Sequence, residues 1–135
     1  MAGYSGTPLI KKLGIKPGMK ILGLNAPEDY AEILGTLPAG AAIVSKSPKS
    51  GSNIVHLFVK SFVEYEKQLP RARKAMTVDG AIWVSWYKKA AKIPSDVTGG
   101  LIRDRALKTD LLDVNVCAVT DIWSGLKFVI RKELR

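Results

Sequence analysis

Polar and cationic side chains occur at or near the ends of several predicted strands of this 135-residue chain. The candidate ligand-binding residues are Asn25, Lys46, Ser47, Ser85, Lys88 and Lys89. In an open α/β sheet, ligands bind beyond the carboxyl ends of the parallel strands. Amide, hydroxyl and ammonium groups are the donors that an anion requires. The site hypothesis is therefore a pocket for an anionic or nucleotide-like small molecule. The interpretation that we prefer at this point is that Asn25 is an ordinary helix cap and that the lysines are solvated loop residues.

The single histidine and the single cysteine limit the covalent and metal chemistry of the chain. His56 lies inside a predicted strand, and we expect it to be packed and hydrogen-bonded rather than part of a catalytic arrangement. Cys117 is expected to be a small buried hydrophobic residue. One imidazole and one thiolate do not form a tetrahedral metal site, and a lone cysteine forms no intrachain disulfide. We therefore predict no catalytic residues, no metal and a reducing, cytoplasmic location.

Three tryptophans are candidates for either the core or a binding surface. Trp83 and Trp86 lie three residues apart in the most strand-like segment. Because side chains alternate along a strand, the two rings face opposite ways, and we expect both in the core rather than in a platform for stacked bases. Trp123 falls in the connection of a predicted hairpin, where burial requires a neighbouring element or a partner subunit. We predict Trp123 as a candidate contact of a homodimer or another protein partner.

Composition indicates a basic globular domain. The chain has 21 Lys and Arg against 12 Asp and Glu, a formal charge of +9, which favours anionic partners in general. The basic residues are scattered and no nucleic-acid motif accompanies them, so we expect a solvated surface rather than a nucleic-acid interface. A hydrophobic fraction of 47% with 24% charged residues excludes a disordered tail. No apolar run approaches the ~20 residues of a membrane span, and no signal peptide is evident, so no membrane association is expected.

Hydrophobic periodicity predicts a single domain over residues 1–135, with residues 1–18 as an N-terminal capping segment. The predicted strands are 19–24, 41–45, 53–60, 81–87, 114–119 and 126–131. The predicted helices are 9–13, a helix beginning at Pro27, a helix from Ser61 to about Met76, and a helix from Asp96 to about Lys108. Alternating strands and helices predict a Rossmann-like α/β three-layer sandwich, with a mostly parallel sheet and an antiparallel C-terminal hairpin.

Several local features accompany these elements. Thr7 is predicted to cap the first helix, and Ser61 with Glu64 forms a capping box for the third. Pro70 should kink or divide that helix. Residues 77–80 are expected to form a turn before the fourth strand.

Two sequence runs resemble class I S-adenosylmethionine-dependent methyltransferases. The run LGIKPGMKILGL at 13–24 is similar to the strand that leads into the cofactor loop, and RARKAMTVDGAIWVS at 71–85 is similar to a later helix, turn and strand. GYSGTPL at 3–9, NAP at 25–27, VCAV at 116–119 and WSGL at 123–126 resemble more closely a family of small bacterial proteins catalogued only as a domain of unknown function. This resemblance covers nearly the whole chain and implies a truncated methyltransferase-like core.

The departures from the methyltransferase pattern bear on function. That family has a glycine-rich loop where this chain has Asn25, Ala26 and Pro27, and an acidic residue where this chain has Gly23. The predicted second strand ends in Ser-Lys-Ser at 45–47 rather than in an acidic residue, and the helix-strand-helix unit of a full methyltransferase has no room before Asn53. We therefore predict a non-catalytic binding or interaction domain without a cofactor. The alternatives are a binder of an anionic or nucleotide-like small molecule and a divergent methyltransferase that uses S-adenosylmethionine.

Overall fold

The computed structural model describes residues 8–135. Its strands are β1 (Lys20–Leu24), β2 (Ala42–Val44), β3 (Ser52–Phe58), β4 (Met76–Tyr87), β5 (Leu111–Ala118) and β6 (Trp123–Ile130). Its α-helices are α1 (Leu9–Leu13), α2 (Tyr30–Leu34), α3 (Phe62–Ala75) and α4 (Gly99–Ala106), and short 3₁₀ turns cover Lys89–Ala91 and Lys132–Leu134. The predicted cap Thr7 and most of the motif at 3–9 lie outside the described residues.

The six strands form one sheet in the order β2-β1-β3-β4-β6-β5. The β2–β1, β1–β3 and β3–β4 pairs are parallel, whereas the β4–β6 and β5–β6 pairs are antiparallel. This arrangement confirms the predicted Rossmann-like sheet with an antiparallel C-terminal hairpin. The carboxyl ends of the four parallel strands therefore meet at one edge of the sheet, which is the edge where a ligand is expected.

Helices cover both faces of the sheet and create two hydrophobic clusters. Residues of α3 and α4 pack with Val55, Leu57 and Phe128 on one face. Residues of α1 and α2 pack with Ile54, Phe58 and other residues on the opposite face. The central strand β3 contributes to both clusters, which explains why apolar residues occupy both of its faces and confirms the three-layer architecture.

Helix α3 begins as its sequence predicts. The Ser61 hydroxyl accepts a hydrogen bond from the backbone N–H of Glu64 at 3.2 Å, and the Glu64 carboxylate accepts one from the backbone N–H of Lys60 at 2.8 Å. The prediction that Pro70 divides this helix is wrong, because α3 continues to Ala75. Tyr65, Leu69 and Ala72 form the buried face of the helix on both sides of Pro70, and the packing of that face stabilises the helix across the proline.

Several boundaries differ from the sequence predictions. Strands β5 and β6 begin at Leu111 and Trp123, each three residues before the predicted start. Residues 77–80 are not a separate turn but an irregular part of β4, since Ser52 pairs with Met76 and Ile54 pairs with Ala81. Asp96 does not cap α4. Thr98 does, and its hydroxyl accepts a hydrogen bond from the Leu101 N–H at 3.2 Å.

The segment between β2 and β3 contains no helix or strand in this described part of the chain. A loop of residues 45–51 returns the chain directly to the start of β3. The predicted lack of the helix-strand-helix unit is therefore confirmed. Within residues 8–135, no helix has the length and hydropathy needed to traverse a bilayer.

Candidate functional site

A two-lobed cleft lies at the carboxyl ends of the parallel strands. One lobe, of about 440 Å³, is the loop lobe, lined by Asn25, Ala26, Pro27, Glu28, Lys60, Tyr87, Ile93, Ile122 and Trp123. The other, of about 510 Å³, is the lysine lobe, lined by Trp86, Tyr87, Lys88, Lys89, Lys92, Ile93, Pro94, Ser95, Val97 and Thr98. Tyr87 and Ile93 line both lobes, so the two spaces adjoin.

The loop after β1 forms one wall of the loop lobe. Asn25 is exposed and has a φ of 56°, in the left-handed region that glycine usually occupies and that asparagine tolerates better than most residues. Ala26 folds back over the strand, so that a Cβ added at Gly23 would lie 3.1 Å from the Ala26 Cβ and 3.4 Å from Cε2 of Tyr30. The space above Gly23 is therefore already filled by the loop that follows it.

Two stacked aromatic rings lie where the two lobes meet. Tyr87 and Trp123 are paired across β4 and β6, and their rings stack with centroids 4.4 Å apart. Phe58 meets the Trp123 ring edge-on at 5.0 Å. Trp123 begins β6 rather than lying in the hairpin connection, and these neighbours leave it 7% exposed. A neighbouring element thus covers Trp123 within a single chain, and its role in a homodimer stays a prediction.

Three buried polar side chains, one each from α2, β3 and β4, are joined by hydrogen bonds in the core. His56 has no exposed surface; its Nδ1 lies 2.8 Å from the Tyr30 hydroxyl and its Nε2 lies 2.7 Å from the Ser85 hydroxyl. Burial lowers the pKa of His56 to about 3, so its ring is neutral at ordinary pH. A neutral imidazole has one donor and one acceptor nitrogen, which the two hydroxyls satisfy. The expected packed, hydrogen-bonded histidine is confirmed, but Ser85 is sealed in the core rather than lining the predicted pocket.

The lysine lobe collects positive charge without acidic neighbours. Lys88, Lys89 and Lys92 line it, and no aspartate or glutamate does so among the described residues. Asp96, within the same loop, is directed elsewhere, since its Oδ1 accepts a hydrogen bond from the backbone N–H of Phe62 at 2.9 Å. Asp96 therefore stabilises the start of α3 and leaves the lysines uncompensated.

Lys46 and Ser47 lie apart from this cleft. They line a smaller space of about 190 Å³ together with Arg71 and Ala75. The Ser47 hydroxyl lies 2.6 Å from the Ser52 hydroxyl and donates to the Ala75 carbonyl at 3.1 Å, at the opposite edge of the sheet from the cleft. The structure thus brings Asn25, Lys88 and Lys89 to the two lobes and does not bring Lys46, Ser47 or Ser85 there.

Other reactive groups do not extend the site. Cys117 is half-buried, and burial raises the pKa of its thiol despite the nearby charges of Lys12 and Lys88. Across residues 8–135, no three His, Cys, Asp or Glu side chains gather into a group able to hold a metal ion.

Two lysines of the cleft, Lys60 and Lys92, were not among the predicted site residues. Lys60 is the last residue of a predicted strand and directly precedes Ser61, the cap of α3. This position at a strand end could have identified Lys60 as a site residue. Lys92 belongs to the same basic group as Lys88 and Lys89, but its place in the cleft depends on the 3₁₀ turn at Lys89–Ala91, which the sequence does not indicate.

Comparison with known proteins supports the fold. No family model matches the chain, and no curated protein sequence matches it. Among solved structures, the chain is similar to the ribosomal protein L11 methylase from Lactobacillus delbrueckii subsp. bulgaricus, with a TM-score of 0.57, 10% identity, and coverage of 90% of this chain and 74% of the other. It is similar to a TehB-like SAM-dependent methyltransferase from Corynebacterium glutamicum, with a TM-score of 0.55, 13% identity, and coverage of 91% and 85%. A SAM-dependent methyltransferase from Aquifex aeolicus gives a TM-score of 0.56, 14% identity, and coverage of 90% and 87%.

These similarities confirm the methyltransferase-like fold that the sequence resemblance implied. The residues at the equivalent of the cofactor loop do not fit the pattern expected from that resemblance. A side chain at position 23 would press against Ala26 and Tyr30, so an acidic residue there would require these neighbours to shift. The chain after β2 supplies Ser45 and Lys46 instead of a carboxylate for ribose hydroxyls.

Proposed function

We propose that this Rossmann-like protein is a binding domain that takes an anionic, nucleotide-like small molecule in its two-lobed cleft. The observation that carries the proposal is the composition of the cleft wall, in which lysines surround aromatic and aliphatic side chains. The lysines are Lys60, Lys88, Lys89 and Lys92, and none of them has an ion pair within residues 8–135. Lys88, Lys89 and Lys92 line a lobe that has no carboxylate among the described residues. Cations of this kind beside apolar and aromatic side chains favour a ligand with an anionic part and a planar part.

Binding without catalysis is consistent with the state of the single histidine and the single cysteine. His56 is neutral, fully buried and engaged on both nitrogens. Cys117 has a raised pKa, whereas a reactive thiol needs a lowered one. Neither group lines the cleft.

The proposal is tested by calorimetric titration of the full chain with ADP as the probe. We expect saturable binding, and we expect Lys88→Met and Lys89→Met each to weaken it by roughly fivefold or more, since each removes a charged contact. Lys67→Met removes an exposed lysine of α3 outside the cleft and is the matched control. Thermal unfolding of each variant checks that the fold is intact.

Two results would overturn this proposal. One is the absence of ADP binding at millimolar concentration. The other is a loss of affinity in Lys46→Met as large as in Lys88→Met, because Lys46 lines a different space and its importance would place the ligand elsewhere.

A second candidate function is methyl transfer from S-adenosylmethionine. The structural similarity to methyltransferases favours it, and so does Asn25, which keeps a left-handed backbone conformation in the loop after β1. Titration with S-adenosylmethionine and S-adenosylhomocysteine tests this candidate. Binding of both compounds more tightly than ADP would favour it over the first proposal.

A further inference from the structure

The two lobes of the cleft differ in charge. The loop lobe contains one cation, Lys60, and one carboxylate, Glu28, whereas the lysine lobe contains three cations and, in this described part of the chain, no carboxylate. A group with several negative charges is repelled by Glu28 in the loop lobe and is favoured in the lysine lobe. The anionic part and the planar part of a ligand are therefore best accommodated in different lobes.

From this asymmetry we propose that the lysine lobe is a phosphate subsite, which takes the phosphate chain of a nucleoside diphosphate or triphosphate. This inference rests on the proposed function and assigns the chemical class of its ligand. The planar group lies toward the loop lobe, where Tyr87 and Trp123 stack and where Ala26 and Pro27 supply apolar wall.

The backbone that carries the three lysines of the lysine lobe is fixed by hydrogen bonds. Lys88 is half-buried at the end of β4, and its backbone N–H donates to the Ile122 carbonyl at 2.8 Å. Lys89 and Lys92 flank a 3₁₀ turn that is closed by a hydrogen bond from the Lys92 N–H to the Lys89 carbonyl at 3.1 Å. Three ammonium groups are thus carried by five consecutive residues whose backbone is fixed by hydrogen bonds.

The floor of the lysine lobe is also fixed. A Cβ at Gly99 would lie 2.9 Å from Cζ2 of Trp86, so the first turn of α4 packs directly against that indole. Thr98, the cap of α4, lines the lobe beside Trp86. A packed floor beside three long lysine side chains allows the ammonium groups to converge on a phosphate chain without rearrangement of the backbone.

The experiment measures the affinity of the full chain for adenosine, AMP, ADP and ATP by calorimetry. We expect affinity to rise with each added phosphate, by roughly fivefold or more per step, because each phosphate adds a charged contact. We expect the double variant Lys89→Met/Lys92→Met to flatten this series while adenosine affinity stays unchanged. Lys67→Met/Lys108→Met removes the same charge from exposed positions outside the cleft and is the control.

The outcomes separate this inference from the proposed function. If adenosine and all three nucleotides bind with equal affinity, the phosphate subsite is wrong while the binding cleft stands. An equal loss of phosphate dependence in the control double variant also overturns the subsite, since it shows a general effect of net charge. If none of the four compounds binds, the proposed function itself fails.

Discussion

Ala26 lies directly over Gly23, with its Cβ 3.1 Å from the position that a side chain at residue 23 would occupy. This contact couples two departures from the methyltransferase pattern, the missing acidic residue in β1 and the filled loop that follows it. With a loop of this shape, an acidic side chain at position 23 would require Ala26 and Tyr30 to shift. The cleft in front of the loop is therefore bounded by Ala26 and Pro27 rather than by open glycine backbone.

Substitution at position 23 tests this coupling. We expect Gly23→Asp to lower the free energy of unfolding by roughly 1–3 kcal/mol, since the new side chain overlaps Ala26 and Tyr30 in a packed region. The double variant Gly23→Asp/Ala26→Gly should recover a substantial part of this loss, as measured by urea unfolding. Gly100→Ala, where the nearest atom is 3.9 Å from the new Cβ, is the control and should not lower the free energy of unfolding, since alanine favours the helix that contains it. Stability of Gly23→Asp equal to that of the unmodified chain would show that the space above Gly23 is open.

The buried histidine predicts a particular dependence of stability on pH. The pKa of His56 is about 3 in the folded protein and ~6.5 in the unfolded chain, so the unfolded state binds more protons between these values. The stabilisation from neutral His56 is present above the unfolded pKa and is lost as pH falls. The free energy of unfolding should decrease by about 2 kcal/mol from about pH 7 to about pH 5.

Two measurements check this pH dependence. Urea unfolding at each pH should show the decrease, and it should be absent in His56→Gln. The histidine ring protons in NMR spectra of the unmodified chain should not titrate over the same range. Titration of Asp110 does not produce this change in stability. The Arg73 guanidinium holds the pKa of the Asp110 carboxyl below its ordinary value, so the carboxyl titrates below the pH range of this experiment. A ring that titrates near neutral pH would mean that His56 is accessible to water.

Salt dependence distinguishes the cleft from a nucleic-acid interface. We expect a single-stranded oligonucleotide to bind more weakly than about 10 µM at about 150 mM salt, because the lysines of the cleft form one short cluster rather than an extended stripe. Fluorescence anisotropy with a labelled oligonucleotide measures this affinity across a salt series. Tight binding that survives at physiological salt, and that is reduced by Lys16→Met on the opposite side of the sheet, would indicate a dedicated nucleic-acid face.

The sequence predicted the sheet well because the decisive signals are local. The apolar run of β3 requires burial on both faces, and the alternation of strands with helices requires parallel pairing. The course of the loop after β2 was not predictable in this way. Ser47 follows the end of β2 in the sequence, and residues after parallel strands are expected at the ligand-binding edge of the sheet. The loop instead returns Ser47 to Ser52 and Ala75, away from the cleft.

Side-chain direction was the other limit on predicting the site. Ser85 belongs to the last part of β4, but its hydroxyl is turned into the core by the hydrogen bond with His56, which adjoins it only in the folded sheet. Asp96 is predicted at the start of the nearer helix, α4, whereas it accepts a hydrogen bond from the first residue of α3, which is distant in sequence. Such pairings depend on tertiary contacts that periodicity does not contain.

The three tryptophan indole N–H signals in a ¹H–¹⁵N NMR titration with ATP test the central claim most directly. Trp86 lines the lysine lobe, Trp123 lines the loop lobe, and Trp83 is buried with its Nε1–H donated to the Leu13 carbonyl at 3.0 Å. The account predicts saturable shifts of the Trp86 and Trp123 signals with the Trp83 signal unchanged. Saturable binding of ATP that leaves both the Trp86 and Trp123 signals in place would contradict it.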